Sequence, residues 1–313
     1  VYLRDARPVM GTWAELQLCA DGPRTLRADA DAAFATLERL EALLSTWRPQ
    51  SEISELNRQA GKLPVHVSPE TFAVLQDAQQ ASARSHGLFD ITFASLGLWH
   101  FDEELTPVVP PAALVKERLA RVDYRHVLLD ASAQTAFIDR VETRVDLGGI
   151  GKGFAVDAAV AVLRARGLRD FVIQAGGDLY CAGHRGQRPW TIGVRDPRDA
   201  SGGFFATLPV TDAAFSTSGD DERFFIVDGR RYHHIIDPRT GFPATASRSA
   251  TILAPSATLA EELSKPVFIL GPEAGAAFAQ GQGIEAVIVG ADGGLTVTRG
   301  LTGKLEVVRP PSR

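Results

Sequence analysis

Apolar and polar residues alternate over 12–18 (TWAELQL), the period of a half-buried strand. From Thr25 to about Thr46 the period lengthens to that of a helix, with Ala33, Leu37, Leu40 and Leu44 on one stripe. Ser68 followed by Pro69 predicts a second helix that runs to about Ser85, because a proline at the first helical position has no N–H that the helix would need. A third helix is expected over roughly 111–121. The middle of the chain reads strand, helix, strand: TRVDL, then GKGFAVDAAVAVLRARG, then DFVIQAG, with Gly167 as the helix C-cap. After residue 187 short strands dominate: PWTIGV, FFATLPV, AFSTS, RFFIV and RYHHII. Two more are expected at 248–253 and 284–289, with helices near 258–265 and 272–281. Long helices followed by mixed strands predict an α+β fold with an antiparallel-rich sheet. No linker divides the chain, which reads as one unit over 1–313, with a Pro-rich loop near 106–111 and a frayed tail at 309–313.

The 313 residues suffice for a large single domain or two interlocked lobes. A net charge of −5 and the lack of any Lys/Arg-rich run give no electrostatic footprint for nucleic acid, so none is expected as a partner. Cys19 and Cys181 are the only cysteines and neither lies in a CxxC or Cys/His metal pattern, which leaves the redox compartment open. No apolar run approaches the roughly 18 residues of a spanning helix.

The densest cluster of candidate chemistry is VDLGGIGKGFAVD, 145–157. Its glycines let backbone N–H groups approach a ligand at the positive end of a helix, Lys152 adds a cation, and Asp146 suits a metal or a ribose hydroxyl. A tight strand–helix turn explains the same glycines, and Asp157 reads as a solvated or hydrogen-bonded helix residue. QAGGDLYCAG (174–183) places a glycine pair before Asp178, which a bulge or hairpin turn would also explain. Thr217, Ser218 and Gly219 offer donors suited to a phosphate. His233 and His234 point to opposite faces of a strand, so only one faces a given site. Trp47 and Phe89 are aromatics beside loops, where a flat ring could stack, although core packing explains each as well. Asp90 interrupts an otherwise apolar stretch.

Taken in order, VMGT, STWRPQSEISELN, GLFDIT with LWHF, VDLGGIGKGFAVD, QAGGDL, STSGDD and HHIIDPRTGFP resemble the FAD:protein FMN transferases, the ApbE-type flavin transferases, over roughly residues 8 to 290. The resemblance implies a single two-lobed α+β unit that binds FAD with Mg²⁺. It also implies transfer of FMN to a threonine hydroxyl of an acceptor protein with release of AMP. Carried over, Met10 and Trp47 flank the flavin or adenine, and Leu88, Phe89 and Asp90 contact the cofactor. Asp146, Lys152 and Thr217 bind it, with Ile235 nearby, and the Gly149 carbonyl is a metal ligand. His234, oriented by Asp237, is the candidate base for the acceptor hydroxyl. The resemblance further implies an extracytoplasmic location, with a membrane anchor in an N-terminal segment preceding Val1.

One segment departs from the family. Where the family has an aspartate and, four residues on, a threonine as metal ligands, this chain has Glu261 and Lys265, followed by Pro266. The first change adds a methylene. The second replaces an oxygen ligand by an ammonium that has donors only. Three readings stay open: a Thr258–Glu261 capping box with a surface Glu261–Lys265 pair, a Lys265 ammonium in the cation position, or a displaced Mg²⁺ held by Glu261, Gly149 and phosphate. Pro266 should disfavour helix at Lys265. The alternative to transfer is a divergent or non-transferring member that binds FAD or another nucleotide.

Overall fold

The computed structural model describes residues 1–21, 25–101 and 106–312. Eight strands lie side by side in chain order, each antiparallel to the next: Tyr2–Val9, Thr12–Cys19, Asp170–Ala175, Asp178–Ala182, Ala213–Gly219, Ser247–Ala254, Glu285–Gly290 and Leu295–Val297. Among the described residues there are seven α-helices. They are α1 (Arg27–Leu44), α2 (Glu52–Arg58), α3 (Pro69–Arg84), α4 (Ala112–Leu119), α5 (Gly151–Ala165), α6 (Ala257–Leu270) and α7 (Pro272–Gly281). The expected α+β class and antiparallel-rich sheet are therefore present.

Strand alternation sorts the side chains into two cores. Phe171, Ile173 and Ala175 face the helical layer, where α1, α5, α6 and α7 pack on the sheet. Val172, Leu179, Cys181 and Phe215 face the other way, toward Trp190, Val194, Phe205 and Leu208. These belong to a second sheet built from Glu306–Val307, Phe204–Val210, Arg188–Arg195 and His184–Arg185. The large sheet is thus buried on both faces, which is why its central strands read as nearly continuous apolar runs.

Several elements differ from the pattern-based expectation. TRVDL is not a strand: the Asn57 side chain accepts from Val145 N at 2.7 Å and donates to Val145 O at 2.8 Å, taking the place of a neighbouring strand. RYHHII splits into Arg230–His233, hairpinned to Phe224–Val227, and Ile236–Asp237, with His234 and Ile235 at the break. The helix α2, too short for a periodic signal, is capped by Ser51, which accepts from Ser54 N. The tail is pinned rather than frayed: Ser312 donates through N and Oγ to Asp196 at 3.0 and 2.8 Å, and Arg248 donates to the Ser312 carbonyl at 3.0 Å.

The helix α6 runs through Pro266, against the expectation that it would weaken at Lys265. A proline inside a helix costs a backbone hydrogen bond and a steric clash, about 3 kcal/mol. Burial of most of α6, including Leu263, Val267 and Phe268, offsets that cost. The Glu261 carbonyl, one turn before Lys265, accepts from Ser264 Oγ at 2.7 Å and from Lys265 Nζ at 2.9 Å. Ser256, not Thr258, is the N-cap, and it accepts from Leu259 N.

Candidate active site

The site forms where α5 crosses α6. A Cβ at Gly153 would lie 2.4 Å from the carbonyl oxygen of Ala257, so only glycine allows the two helices to approach this closely. Asp157, one turn further along α5, fixes the crossing. Its carboxylate accepts from Ala257 N at 2.8 Å, Thr258 N at 2.8 Å and Thr258 Oγ1 at 2.6 Å, satisfying donors that the start of α6 leaves unpaired. Asp157 is thus the hydrogen-bonded helix residue expected of it.

This crossing sets Lys152 against Glu261. The Lys152 ammonium donates to Glu261 Oε1 and lies 2.9 Å from Asp178 Oδ2, while Gly153 N donates to Glu261 Oε2 at 2.7 Å. Asp178 also accepts from Ser216 Oγ at 2.5 Å. Lys265 donates to the Glu261 carbonyl, and its Nζ lies 3.8 Å from Glu261 Oε1. Burial acts to lower the Lys152 pKa, yet Asp178 and Glu261 together hold it above the ordinary lysine range. Burial pushes the Glu261 carboxyl up, with the Asp178 charge adding to the shift. The Lys265 ammonium is pushed down by burial, against the attraction of Glu261.

The glycine-rich turn forms one rim of this cluster. Asp146 Oδ2 accepts from Thr46 Oγ1 at 2.9 Å and Oδ1 from Gly148 N at 2.7 Å, a turn of the type aspartate makes with its own backbone two residues on. A Cβ at Gly149 would meet the Phe89 ring at 3.1 Å and Lys265 Cε at 3.6 Å, so the turn, Phe89 and Lys265 are in close contact. The opposite rim is the Met10–Gly11 turn between the first two strands, where even Met10 adopts a positive φ of 55°. Next to it, Thr12 and Lys152 both lie against Gly176.

Of the two adjacent histidines, His233 is fully used. It accepts from Ile235 N at Nδ1, so the proton sits on Nε2, which donates to the Ala244 carbonyl at 2.8 Å. His234 Nδ1 is buried and finds no hydrogen-bond partner among the described residues. Burial pushes the His234 pKa down to about 4, and the charges of His233 and Lys265 act in the same direction. The expected His234–Asp237 pairing is not formed. The Asp237 carboxylate instead accepts from Arg239 N and Nε at 2.9 Å and from Nη2 at 2.7 Å, which closes the DPRTG turn.

Other expected contact residues sit where packing puts them. Leu88, Phe89 and Ile235 are buried in the helical core. Asp90 accepts from Thr92 N, Thr92 Oγ1 and Tyr124 N, so both its oxygens serve loop donors. Thr217 shares a hydrogen bond with Thr251, its cross-strand partner, at 2.9 Å. Trp47 stands in solvent, 83% exposed.

The ApbE family profile matches residues 10–288. The chain belongs to the ApbE family. It is 34% identical to the FAD:protein FMN transferase of Treponema pallidum over 97% of this chain and 88% of that protein. It is 32% identical to the FAD:protein FMN transferase of Vibrio cholerae over 90% of this chain and 85% of the relative. The structure of the ApbE protein of Thermotoga maritima superposes with a TM-score of 0.89 at 30% identity, covering 97% of this chain and 99% of the other. The flavin transferase ApbE of Vibrio cholerae superposes at 0.85 with 28% identity, covering 97% and 99%. The α+β architecture of this ApbE-family chain is therefore that of the flavin transferases.

Two residues of the site carried little signal in the sequence. Asp178, which holds the Lys152 ammonium, was visible only as the neighbour of a glycine pair, although an aspartate within the otherwise apolar DLYCA suggests a polar partner. Thr46, the partner of Asp146, lies 100 positions away in sequence and carried no signal of its own.

Proposed function

We propose that this protein is an FAD:protein FMN transferase. It binds FAD, moves FMN onto a threonine hydroxyl of an acceptor protein and releases AMP. The observation that carries the reading is the convergence of two ammonium groups, Lys152 and Lys265, on Glu261 in one partly buried site of an ApbE fold.

Attack on a pyrophosphate needs its charge offset, the nucleophile positioned and the leaving phosphate stabilised. Lys152 and Lys265 supply positive charge to the phosphates. His234, a free base at physiological pH because its pKa is held at about 4, is the candidate to take the proton of the acceptor hydroxyl. The hydroxyl oxygen forms a bond to the flavin-side phosphorus, the bond from that phosphorus to the bridging oxygen breaks, and AMP leaves with the bonding electrons. In this reading Asp146, held by Thr46, binds a ligand hydroxyl, and the exposed Trp47 covers a flat ring.

The residues do not fit a Mg²⁺ ion, which takes oxygen ligands. Both Glu261 carboxylate oxygens already accept from Lys152 and Gly153, its carbonyl accepts from Ser264 and Lys265, and Lys265 has only donors to offer. No step is therefore assigned to a metal. An extracytoplasmic setting belongs to the same proposal, supported by the family resemblance alone and tested by cell fractionation.

The test is incubation with FAD and a flavinylation-site domain that a family relative modifies. Covalent flavin is read by in-gel fluorescence and AMP by chromatography. Both products are expected. FAD binding without either product would instead favour a non-transferring flavin-binding protein, the reading that the Glu261–Lys265 departure makes the alternative.

A further inference from the structure

We propose that the Lys265 ammonium is the resident cation of this site, so that the protein binds FAD and turns it over without a divalent metal. The inference rests on the flavin-transfer reading and deepens it.

Position is the first argument. The three places where the resemblance implies metal ligands do converge: Glu261 and Lys265 are one turn apart on α6, and Lys265 Cε lies beside Gly149. Lys265 brings into that group an ammonium, which has hydrogen-bond donors only.

Charge balance is the second. Lys152 and Lys265 face Asp178 and Glu261, the Glu222 carboxylate also acts on both lysines, and Glu261 is completely buried. With a neutral residue at 265 one carboxylate would lack a counter-charge, and a bound cation would meet that need. Lys265 meets part of that need with its own charge.

Geometry of the ammonium is the third. One of its three donors is spent on the Glu261 carbonyl at 2.9 Å, which tethers the group to the helix. Glu261 Oε1, at 3.8 Å, is beyond hydrogen-bond reach. The side chain keeps 22% of its surface exposed, so its remaining donors can reach a phosphate oxygen.

The test compares FAD affinity in Mg²⁺ and in EDTA, measured by flavin fluorescence quenching, for the wild type and for Lys265→Met. Thermal melting reports whether the variant is folded. The wild type is expected to bind FAD equally well in both buffers. Lys265→Met is expected to weaken FAD roughly ten- to hundredfold, the loss of one charge-assisted hydrogen bond. A wild type whose affinity collapses in EDTA overturns the inference and leaves the flavin-transfer reading intact. So does a folded Lys265→Met protein with unchanged FAD affinity. A wild type that binds no FAD in either buffer overturns the flavin-transfer reading itself.

Discussion

The Lys152 ammonium is bonded to the Glu261 carboxylate across 109 positions of sequence, and Glu261 has no exposed surface. Removing one partner of such a pair leaves the other charge buried. Lys152→Met should therefore lower stability by about 2–3 kcal/mol, less than for a fully buried pair because Lys152 is 27% exposed and Lys265 remains nearby. Glu261→Gln should cost less because Asp178 still faces Lys152, although the single amide oxygen can serve only one of Lys152 and Gly153 N. Urea denaturation checks the order; a Lys152→Met midpoint equal to wild type would refute it.

Gly153→Ala tests the helix crossing. The added methyl would sit 2.4 Å from the Ala257 carbonyl oxygen, inside any tolerable contact. The helices must then move apart, at a cost of about 1–3 kcal/mol. Because the same crossing joins Lys152 to Glu261, FAD affinity should fall together with the melting temperature. A variant that melts like wild type would show that α5 and α6 are not locked by this contact.

The pH dependence of transfer follows from His234. With its folded pKa at about 4, the imidazole is already a free base at neutral pH, and the acid limb of the rate profile should lie near pH 4. A solvent-exposed histidine would place that limb near about 6.5. The sign for stability is the same. Below about 6.5 the unfolded chain takes up a proton that the folded protein refuses, so this residue makes the fold lose stability as pH falls. An acid limb that stays in place in a His234→Asn variant retaining activity would remove His234 as its source.

Trp47→Ala separates ligand contact from folding. The ring is 83% exposed, so its removal should leave stability within about 0.5 kcal/mol of wild type. If it covers the bound flavin or adenine, FAD affinity should drop by about 1 kcal/mol, roughly fivefold. Fluorescence quenching and a melting curve on the same sample decide; unchanged affinity would place the ring outside the ligand site.

By itself, the sequence determined the elements whose periodicity is long and regular. The stripe of α1, the Ser68–Pro69 start of α3, the span of α7 and the short apolar run of Asp170–Ala175 are local properties of the apolar pattern. The residue types of the site became legible only through the family resemblance, because a glycine-rich turn, a histidine pair and a Glu–Lys pair each have an ordinary structural reading when taken alone. Only the tertiary structure decided which of them meet. Asp237 serves Arg239 rather than His234, and Asp90 holds a loop. TRVDL pairs with the Asn57 side chain rather than with a strand. α6 continues through a proline because its burial outweighs the local cost. The joining of Lys152 to Glu261, Asp178 and, through Glu261, Lys265 depends on a helix crossing closed at Gly153. Periodicity records which face of an element is buried; it does not record what that face is buried against, and the charge balance of this site is set there.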